Sequence, residues 1–450
     1  MIAKHMFVKK KTLGLFMATA ALVVVLAGCN DTLRQFIVPV PQPGGDPATL
    51  SNAIVLSINP GGLGSDLHIN VSGDSVVGVV SVGPNPVFLA KTSNRVYAIN
   101  GDDTVSTYIA SNSLSSPVNT ITLPPGTVGV AAGAGSNGDV YVANLGTGAA
   151  VLNKVPMISA SVNAVTDQVS VPAQPVMIAG NAANGKIYVL NSGDGSVSPV
   201  STVDNFVGPR IPVGATAASS PIWGVMSPDG VHVFIVNQGD GTVSVIDTLL
   251  DQVIGDPSLP NKAIKVGTTA SPQPTYAVFE PKLQRLYVVN SGENTISVIK
   301  ANGTDLANGI FPTKIADIPV SGTPTSLAAL SDGTRVYVAL GNCLAGTNHT
   351  NIAARAATCP GNTVSVVDAA SLTEKKIIPV SAGAVSIDAS ADASRVYVVG
   401  AGAGNVSIIR PVSDTVVTTL PAPQQSFGCA TVNPPCPAVP QTPFQVRVFP

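Results

Sequence analysis

Val96-Tyr97-Ala98-Ile99-Asn100 is the first of a series of short apolar segments that recur along the 450-residue chain. Four further segments keep the apolar run, the aromatic residue and the closing Asn: Val140-Tyr141-Val142-Ala143-Asn144, Ile187-Tyr188-Val189-Leu190-Asn191, Val233-Phe234-Ile235-Val236-Asn237 and Leu286-Tyr287-Val288-Val289-Asn290. Two more continue the series without the Asn: Val336-Tyr337-Val338-Ala339 and Val396-Tyr397-Val398-Val399. Successive aromatic residues lie 44 to 60 residues apart, and repetition on this scale indicates a solenoid or a propeller.

Each segment is followed by a turn rich in Gly, Asp or Asn and by a second apolar strand. Gly239-Asp240-Gly241, for example, precedes Thr242–Asp247, and such turns between β-branched runs predict hairpins because their residues accept positive φ. A third strand ends at Val-Gly, as in Pro212-Val213-Gly214, and a fourth opens the next unit, as in Trp223-Gly224-Val225-Met226. Four antiparallel strands in about 45 residues form one blade of a β-propeller. The sequence therefore predicts an all-β propeller.

The strand that carries the aromatic residue is apolar on both faces, as in Leu286-Tyr287-Val288-Val289. Such a strand is buried on both sides, as expected in a blade covered by its two neighbours. These strands, with their turns and the closing Asn, closely resemble the YVTN repeat of bacterial and archaeal surface and secreted propellers. The resemblance spans 53–434. It implies a propeller scaffold and, because the family has many roles, no particular activity.

The two ends of the chain decide the number of blades. The N-terminal part supplies the second, third and fourth strands of a unit without its innermost strand: Ala53–Asn59, Leu67–Val71 and Val76–Gly83. Phe427–Pro434 is the candidate for that strand, which makes 435–450 a Pro-rich C-terminal tail. Closing the ring with strands from both termini removes exposed strand edges. We expect eight blades over 53–434, seven continuous and one composite; seven blades with extra edge strands is the alternative.

The first 28 residues have the pattern of a secretory signal peptide. Lys residues at 4 and 9–11 precede an uncharged apolar run, Leu13–Leu26, which is shorter than the ~20 residues needed to span a bilayer. Leu26-Ala27-Gly28-Cys29 then resembles the lipobox of bacterial lipoproteins, in which the Cys is acylated and becomes the first residue. The resemblance implies a lipid anchor on Cys29; an ordinary signal peptide followed by a chance Cys is the alternative.

Residues 29–52 are expected to form the anchor and a Pro/Gly-rich tether, because Pro-rich segments are extended and semi-rigid. Asn30 follows the anchor residue, where retention in the inner membrane of enterobacteria is associated with Asp. The resemblance therefore implies the outer membrane. We expect the chain in the bacterial cell envelope, bound to the membrane through its lipid and facing the periplasm or the cell surface.

Charged residues make up 11% of the chain, against about 25% in ordinary soluble domains, and hydrophobic residues make up 45%. This balance excludes a disordered chain, which needs high charge and low hydrophobicity. Four of the Lys residues lie in the signal peptide, so acidic residues outnumber basic ones in the rest of the chain. A nucleic-acid partner is therefore not expected.

Four Cys residues remain beyond Cys29, in two local pairs: Cys343 with Cys359 and Cys429 with Cys436. An even number of Cys residues in an exported chain predicts disulfides. A metal site of Cys343, His349 and Cys359 is the alternative, but it has no fourth ligand and no Cys-x-x-Cys pair. We therefore expect two disulfides.

The remaining polar residues do not form a pattern typical of a catalytic or cofactor site. His68, His232 and His349 are scattered along the chain. There is no Cys-x-x-Cys-His for haem attachment and no Gly-x-Ser-x-Gly nucleophile elbow. Trp223 is the only Trp, whereas quinoprotein propellers repeat a Trp motif. No catalytic residue, cofactor or metal is assigned.

The repeated Asn residues allow two interpretations: a polar ring for a ligand, or caps that start each turn through side-chain hydrogen bonds. The second is favoured, because Asn side chains commonly bond to turn backbone. These residues are Asn100, Asn144, Asn191, Asn237 and Asn290. Acidic turn residues lack the dense Asp-x-Asp-x-Asp-Gly pattern of a Ca²⁺ loop and are expected to be solvated; examples are Asp102, Asp103, Asp194 and Asp240.

Three functions are compatible with this pattern. The first is a non-catalytic, lipid-anchored propeller that binds an envelope protein or a glycan. The alternative is a lactonase-like hydrolase, with converging acidic residues and His or Arg at the mouth of the channel. The repeated inner strands here carry charge only at Lys91, Glu280 and Asp388. The third is a redox or cofactor-carrying propeller, which the small number of Trp and His residues disfavours.

One insertion is a candidate recognition loop. Gly341–Asn362 lengthens the turn between the second and third strands of one blade by about twenty residues, and such a loop is unusual in a compact repeat unless it has a use. A Cys343–Cys359 disulfide would pre-organise this loop and reduce the entropy lost on binding. A tolerated surface insertion is the alternative.

Overall fold

The computed structural model describes residues 52–58, 63–92, 95–110, 118–146, 151–181, 183–216, 218–301, 310–343, 359–422, 424–425 and 439–449. The chain divides into two units, Met1–Thr49 and Leu50–Pro450, and every described residue belongs to the second. The secondary structure of this part is β-strand with a single 3₁₀ turn, Pro260–Lys262. It contains no helix long and apolar enough to cross a membrane.

Eight antiparallel sheets form the blades of a propeller, numbered here in chain order. Blade 1 contains β1 (Asn52–Ile58), β2 (Leu63–Asn70) and β3 (Ser75–Pro84). Blade 2 contains β4 (Phe88–Lys91), β5 (Arg95–Ile99), β6 (Thr104–Ile109) and β7 (Asn119–Thr122). Blade 3 contains β8 (Gly129–Ala134), β9 (Val140–Asn144), β10 (Lys154–Ser159) and β11 (Ala164–Ser170). Blade 4 contains β12 (Pro175–Ala179), β13 (Lys186–Asn191), β14 (Ser196–Ser201) and β15 (Ile211–Pro212).

Blade 5 has an outer strand in two pieces, and its strands are β16 (Pro221–Met226), β17 (His232–Asn237), β18 (Thr242–Asp247), β19 (Gln252–Ile254) and β20 (Ile264–Lys265). Blade 6 contains β21 (Pro274–Glu280), β22 (Arg285–Asn290), β23 (Thr295–Lys300) and β24 (Thr313–Pro319). Blade 7 contains β25 (Ser326–Ala329), β26 (Arg335–Leu340), β27 (Thr363–Asp368) and β28 (Thr373–Pro379). Blade 8 contains β29 (Ala384–Ala389), β30 (Val396–Gly400), β31 (Asn405–Arg410) and β32 (Thr415–Pro421). The last strands are β33 (Gln424–Gln425), which pairs with β34 (Val439–Pro440), and β35 (Thr442–Phe449).

The ring is closed by β35, which is the innermost strand of blade 1. It pairs antiparallel with β1, on the side away from β2. Asn52 lies opposite Phe449, and Val55 lies opposite Val446. β35 also packs against β4 of blade 2 and β29 of blade 8. The prediction of eight blades, with one blade built from both ends of the chain, is confirmed.

The predicted position of the closing strand was wrong. The strand is Thr442–Phe449, within the segment expected to be a tail, whereas the candidate 427–434 lies outside the described residues. Its residues alternate with the period of a strand between apolar and polar side chains: Phe444, Gln445, Val446, Arg447 and Val448. The three apolar side chains are buried. The propeller therefore extends through residue 449.

The ends of the strands define two faces of the propeller. The lower face carries the turns that join first to second and third to fourth strands; the upper face carries the turns between second and third strands and the connections between blades. In blade 1, β35, β1, β2 and β3 take the first to fourth places. Asn52 lies opposite both Phe449 and Asn70, the last residues of β35 and β2. β1 therefore begins at the lower face.

The repeated aromatic side chains are fully buried, and several of their hydroxyls bond to the next blade. Tyr337 Oη donates to Asp414 Oδ1 at 2.5 Å. Arg335, two positions earlier and so on the same face of the strand, lies 3.3 Å from Asp414 Oδ2. Blades 4 and 5 are joined in the same way by three residues: Lys186, Tyr188 and Asp251. A lower-face acid therefore fastens its blade to the one before.

Asp414→Ala is expected to lower the free energy of unfolding by about 1–3 kcal/mol, because the Tyr337 hydroxyl loses its acceptor and the Arg335 guanidinium keeps only the Pro411 carbonyl. Asp414 also has a φ of 50°, a left-handed conformation that Asn adopts more readily than Ala. Asp414→Asn is the matched control, since Asn205 occupies the equivalent turn and accepts from Tyr141 Oη at 2.7 Å. Urea denaturation measures both variants, and equal losses would contradict the role of this hydrogen bond.

The repeated Asn residues hold the turns through side-chain hydrogen bonds, as predicted, but at Asn191, Asn237 and Asn290 these bonds go to hydroxyl groups of the following strand and not to turn backbone. Asn237 Nδ2 donates to Thr242 Oγ1 and Ser244 Oγ, both at 3.1 Å, and the same bonds recur at Asn191 and Asn290. Acidic turn residues also hold turns: Asp240 Oδ2 accepts from the N–H of Ala215 at 2.7 Å. These side chains therefore stabilise the upper-face turns rather than standing free in solvent.

Candidate functional site

The innermost strands of the eight blades surround a central channel. In each blade one residue of the innermost strand pairs with the position two after the repeated aromatic residue. In blade 1 Ile54 takes the place of the aromatic residue, and the position two after it is Leu56. From blade 1 to blade 8 this upper ring is Gln445, Phe88, Ala131, Met177, Trp223, Tyr276, Ser326 and Ser386. Blades 2–5 supply mainly apolar groups, and blades 6–8 and 1 supply hydroxyl and amide groups. The channel is therefore polarised across its width.

A second ring lies closer to the lower face and consists of the residues paired directly with the aromatic position. From blade 1 to blade 8 it is Arg447, Ala90, Gly133, Ala179, Val225, Val278, Ala328 and Asp388. The six residues of blades 2–7 are small and apolar, whereas the two charged residues come from neighbouring blades. Small side chains leave room in the channel for the long side chain of Arg447.

Arg447 reaches from blade 1 to blade 6. Its Nη1 donates to Tyr276 Oη at 3.3 Å, and the Tyr276 ring lies 4.5 Å from that of Trp223. The cavity around these residues has a volume of about 80 Å³, enough for a few water molecules or a small ligand group. Burial, the largest influence, lowers the pKa of Arg447, but Tyr276 and Asp388 hold it above its usual value.

Polar side chains beside this cavity bind the backbone of the innermost strands. Asp388 Oδ2 accepts from the Val448 N–H at 2.9 Å, and Lys91 Nζ donates to the Val448 carbonyl at 2.5 Å. Gln445 Oε1 accepts from the Leu89 N–H at 2.7 Å. Innermost strands have a free edge, so these side chains satisfy backbone groups that the sheet ladder leaves open. They join blades 8 and 2 to the closing strand.

Two of the three charged residues predicted in the inner strands, Lys91 and Asp388, therefore lie at this seam. Burial, the largest influence, lowers the pKa of Lys91; Asp388 raises it and Arg447 lowers it. Glu280 lies apart, and its carboxylate accepts two backbone N–H groups of its own turn, both at 2.7 Å. Arg447 was not predicted as a channel residue, because its segment was expected to be a C-terminal tail and not a strand.

A second polar cluster is buried between blades 1 and 2. Tyr108 Oη donates to Asp66 Oδ2 at 2.6 Å and lies 2.9 Å from His68 Nε2. Burial raises the pKa of Asp66 to about 7, although the Tyr108 hydrogen bond lowers it, and burial lowers the pKa of His68 to about 4. Asp66 Oδ1 and His68 Nδ1 have no hydrogen-bond partner among the described residues. Between these two pKa values both side chains are neutral.

Asp66 and His68 are expected to give the stability of the propeller opposite pH dependences. The contribution of Asp66 is lost as the pH rises through about 7, and that of His68 is lost as the pH falls through about 4. Relative to the parent, the stability of Asp66→Asn should therefore rise with pH between 4 and 6.5, because only the His68 contribution remains. His68→Gln should show the opposite slope. Urea denaturation at four pH values tests this, and parallel profiles for all three chains would contradict it.

Other predicted site residues have separate positions. Cys343 and Cys359, one of the two predicted pairs, form a disulfide. Several lie outside the described residues: Cys29, His349, Cys429 and Cys436. His232 belongs to β17, its ring lies 6.4 Å from that of Phe234, and burial lowers its pKa. Within the described part of the chain, no three His, Cys, Asp or Glu side chains group in a way that could hold a metal ion.

Comparison with solved structures places the chain among β-propellers. Dihydro-heme d1 dehydrogenase NirN superposes with a TM-score of 0.60 at 14% identity, covering 85% of this chain and 75% of that one. A candidate 6-phosphogluconolactonase from Bacteroides fragilis gives 0.52 at 13% identity, covering 91% and 100%. A protein of unknown function from Desulfotomaculum acetoxidans gives 0.54 at 12%, covering 88% and 98%. No protein-family model and no curated protein sequence matches the chain. These likenesses show the fold alone: the chain is an eight-bladed β-propeller.

Proposed function

We propose that this propeller is a non-catalytic binding scaffold of the YVTN-repeat type, anchored by a lipid on Cys29 in the bacterial cell envelope, with its partner an envelope protein or a glycan. The observation that carries the proposal is the use of the channel's charged groups. Asp388 and Lys91 both bind the backbone of Val448, so they close the ring. A group engaged in this way is a poor general acid or base, because proton transfer would break a bond of the ring closure.

The upper face supplies the binding element of this proposal. The insertion Gly341–Asn362 leaves this face between β26 and β27, and its two ends are held together. The Gly361 N–H donates to the Gly341 carbonyl at 2.7 Å, and the Cys343–Cys359 disulfide lies just beyond. A loop whose ends are joined in this way loses less conformational entropy when it binds a partner.

Cys29→Ser is expected to release the protein from membranes or to leave an uncut precursor, because the residue that carries the lipid is gone. Membrane fractionation with acyl labelling measures this. Asn30→Asp is the matched control and should keep both label and membrane attachment. Unchanged fractionation with full labelling of Cys29→Ser would contradict the anchor.

Replacing 344–358 by Asn-Gly is expected to abolish crosslinking to an envelope protein or retention on envelope glycans, while the thermal midpoint changes little. The replacement keeps the Cys343–Cys359 disulfide and Gly361, whose carbonyl accepts from the Gly383 and Ala384 N–H groups of blade 8. Undiminished capture by the shortened, folded chain would contradict a recognition role for the insertion.

A lactonase-like hydrolase remains the second candidate, favoured by the Arg447 guanidinium beside Tyr276 and Asp388 in the channel. An arginine in this place could stabilise the developing oxyanion of an opened lactone. A lactone-hydrolysis screen with metal analysis of the parent protein tests this candidate. Arg447→Met should then abolish turnover without unfolding the chain, and the absence of turnover by the parent contradicts the candidate.

A further inference from the structure

The most exposed apolar side chains of the described residues are concentrated on the lower face. Five have at least 61% of their surface exposed: Val162 61%, Val203 90%, Phe206 66%, Leu249 86% and Val412 89%. All five lie in turns between the third and fourth strands, in blades 3, 4, 5 and 8. Blades 3, 4 and 5 are neighbours and blade 8 lies across the ring from them, so the tips are spread over one face, and large exposed apolar surfaces mark sites that bind proteins or membranes.

The turns themselves do not require these apolar residues. Leu249 and Leu250 precede Asp251, whose φ is 50°. The equivalent turn of blade 1 reaches Asp74, also with a φ of 50°, through Ser72 and Gly73. Small and polar tips therefore build the same turn, so the Leu residues serve something other than the local fold.

The acids that follow the tips are neutralised by the neighbouring blade. Behind the apolar tips of blades 5 and 8 the ion pairs are Lys186–Asp251 at 2.7 Å and Arg335–Asp414 at 3.3 Å, and Arg395–Asp74 at 2.7 Å is the equivalent pair behind the polar tip of blade 1. Asp204, beside Val203, is exposed. Pairing reduces the cost of bringing these turns close to an apolar phase, and Asp204 can stay at the level of lipid headgroups.

The described chain also enters the propeller on this face, since β1 begins there at Asn52. The segment 30–51 separates this point from Cys29, and a Pro-rich tether of this length extends over at most about 70 Å. A lipid on Cys29 would therefore be joined to the propeller at its lower face, and the bilayer that holds this lipid lies within reach of the tips.

We propose that the lower face rests on the lipid bilayer, with the apolar turn tips of blades 3, 4, 5 and 8 at the boundary between headgroups and acyl chains. Apolar side chains at this depth add membrane affinity to that of a lipid anchor. The contact would orient the propeller, with the upper face and its insertion directed away from the membrane. This inference rests on the proposed lipid anchor.

Quenching of tryptophan by brominated acyl chains tests the contact. The full mature chain, with Trp223→Phe to remove its own tryptophan, carries Leu249→Trp and is reconstituted in brominated phosphatidylcholine vesicles. Fluorescence should fall about twofold or more, because the reporter lies within reach of the acyl chains. The matched control is Leu152→Trp, an exposed position in the upper-face turn of blade 3, which should not be quenched. Equal signals from the two reporters overturn the proposal.

Flotation of the same vesicles reports the anchor separately. A chain that floats without quenching at Leu249→Trp keeps the anchor and overturns the lower-face contact. A chain that does not float contradicts the anchor. In that case the Leu249→Trp chain is added to excess vesicles, and the absence of quenching there overturns the lower-face contact. Sedimentation without lipid tests a second copy as the occupant: a dimer that Val203→Ser/Leu249→Ser/Val412→Ser makes monomeric would also overturn the proposal.

Discussion

A chain that ends at Gln441 is expected to lose its cooperative unfolding transition at ordinary temperatures, because it lacks the innermost strand of blade 1. Phe444, Val446 and Val448 are buried, and removing one large core side chain already costs about 3–5 kcal/mol. The loss of several is of the order of the whole stability of a typical domain. It also exposes the edge of β1 and removes the backbone partners of Lys91 and Asp388. Thermal and urea unfolding, followed by circular dichroism, measure the change.

A synthetic peptide of residues 441–450 should restore folding to the truncated chain, since an extended peptide can add a strand to an open sheet edge. The matched control is the same peptide with Phe444→Ser and Val446→Ser, which keeps the backbone bonds and loses the buried side chains. A truncated chain that melts like the parent would show that β35 is not needed for closure.

Replacing the buried polar cluster by the apolar residues of other blades should stabilise the protein. The equivalents of Asp66, His68 and Tyr108 at the interface of blades 5 and 6 are Val243, Val245 and Ile299, which lie together in one apolar cluster. Asp66→Val/His68→Val/Tyr108→Ile is therefore expected to raise the free energy of unfolding by about 1–4 kcal/mol, because well-packed apolar groups often exceed a buried polar network in stability.

The single variant Asp66→Val should have the opposite effect and cost about 1–3 kcal/mol, because the Tyr108 hydroxyl loses the carboxyl group to which it donates inside the protein. Urea denaturation of the parent, single and triple variants at pH 7 measures both signs. A triple variant less stable than the parent would contradict this prediction. It would show that the buried polar cluster stabilises the protein more than Val and Ile do in its place.

The repeated strands could be predicted because every signal for a blade is local. The aromatic at Tyr287, the turn after Asn290 and the apolar strand from Thr295 follow one another within a few residues, and their pairings are hairpins. The side-chain hydrogen bonds of the Asn residues and the Cys343–Cys359 pair are local in the same sense. Only part of the channel site could be predicted. Lys91 and Asp388 lie in inner strands that the repeat identifies, whereas Arg447 lies in a segment rich in Pro that has no repeat motif.

Repetition along the chain thus set the fold class and seven of the blades, and the three N-terminal strands without an innermost strand indicated the eighth. The closing strand, the buried polar cluster and the grouping of turn tips on one face depend on contacts between distant parts of the chain. Thr442–Phe449 closes the ring because β1 offers it an open edge nearly 400 residues away, and its local alternation of apolar and polar residues does not show which sheet edge it joins. Asp66 is buried because Tyr108 of the next blade covers it, and the turn tips of Val203 and Leu249 share a face because their blades are arranged in a ring. Local sequence fixes which residues form strands and turns; which side chains meet depends on how the strands assemble.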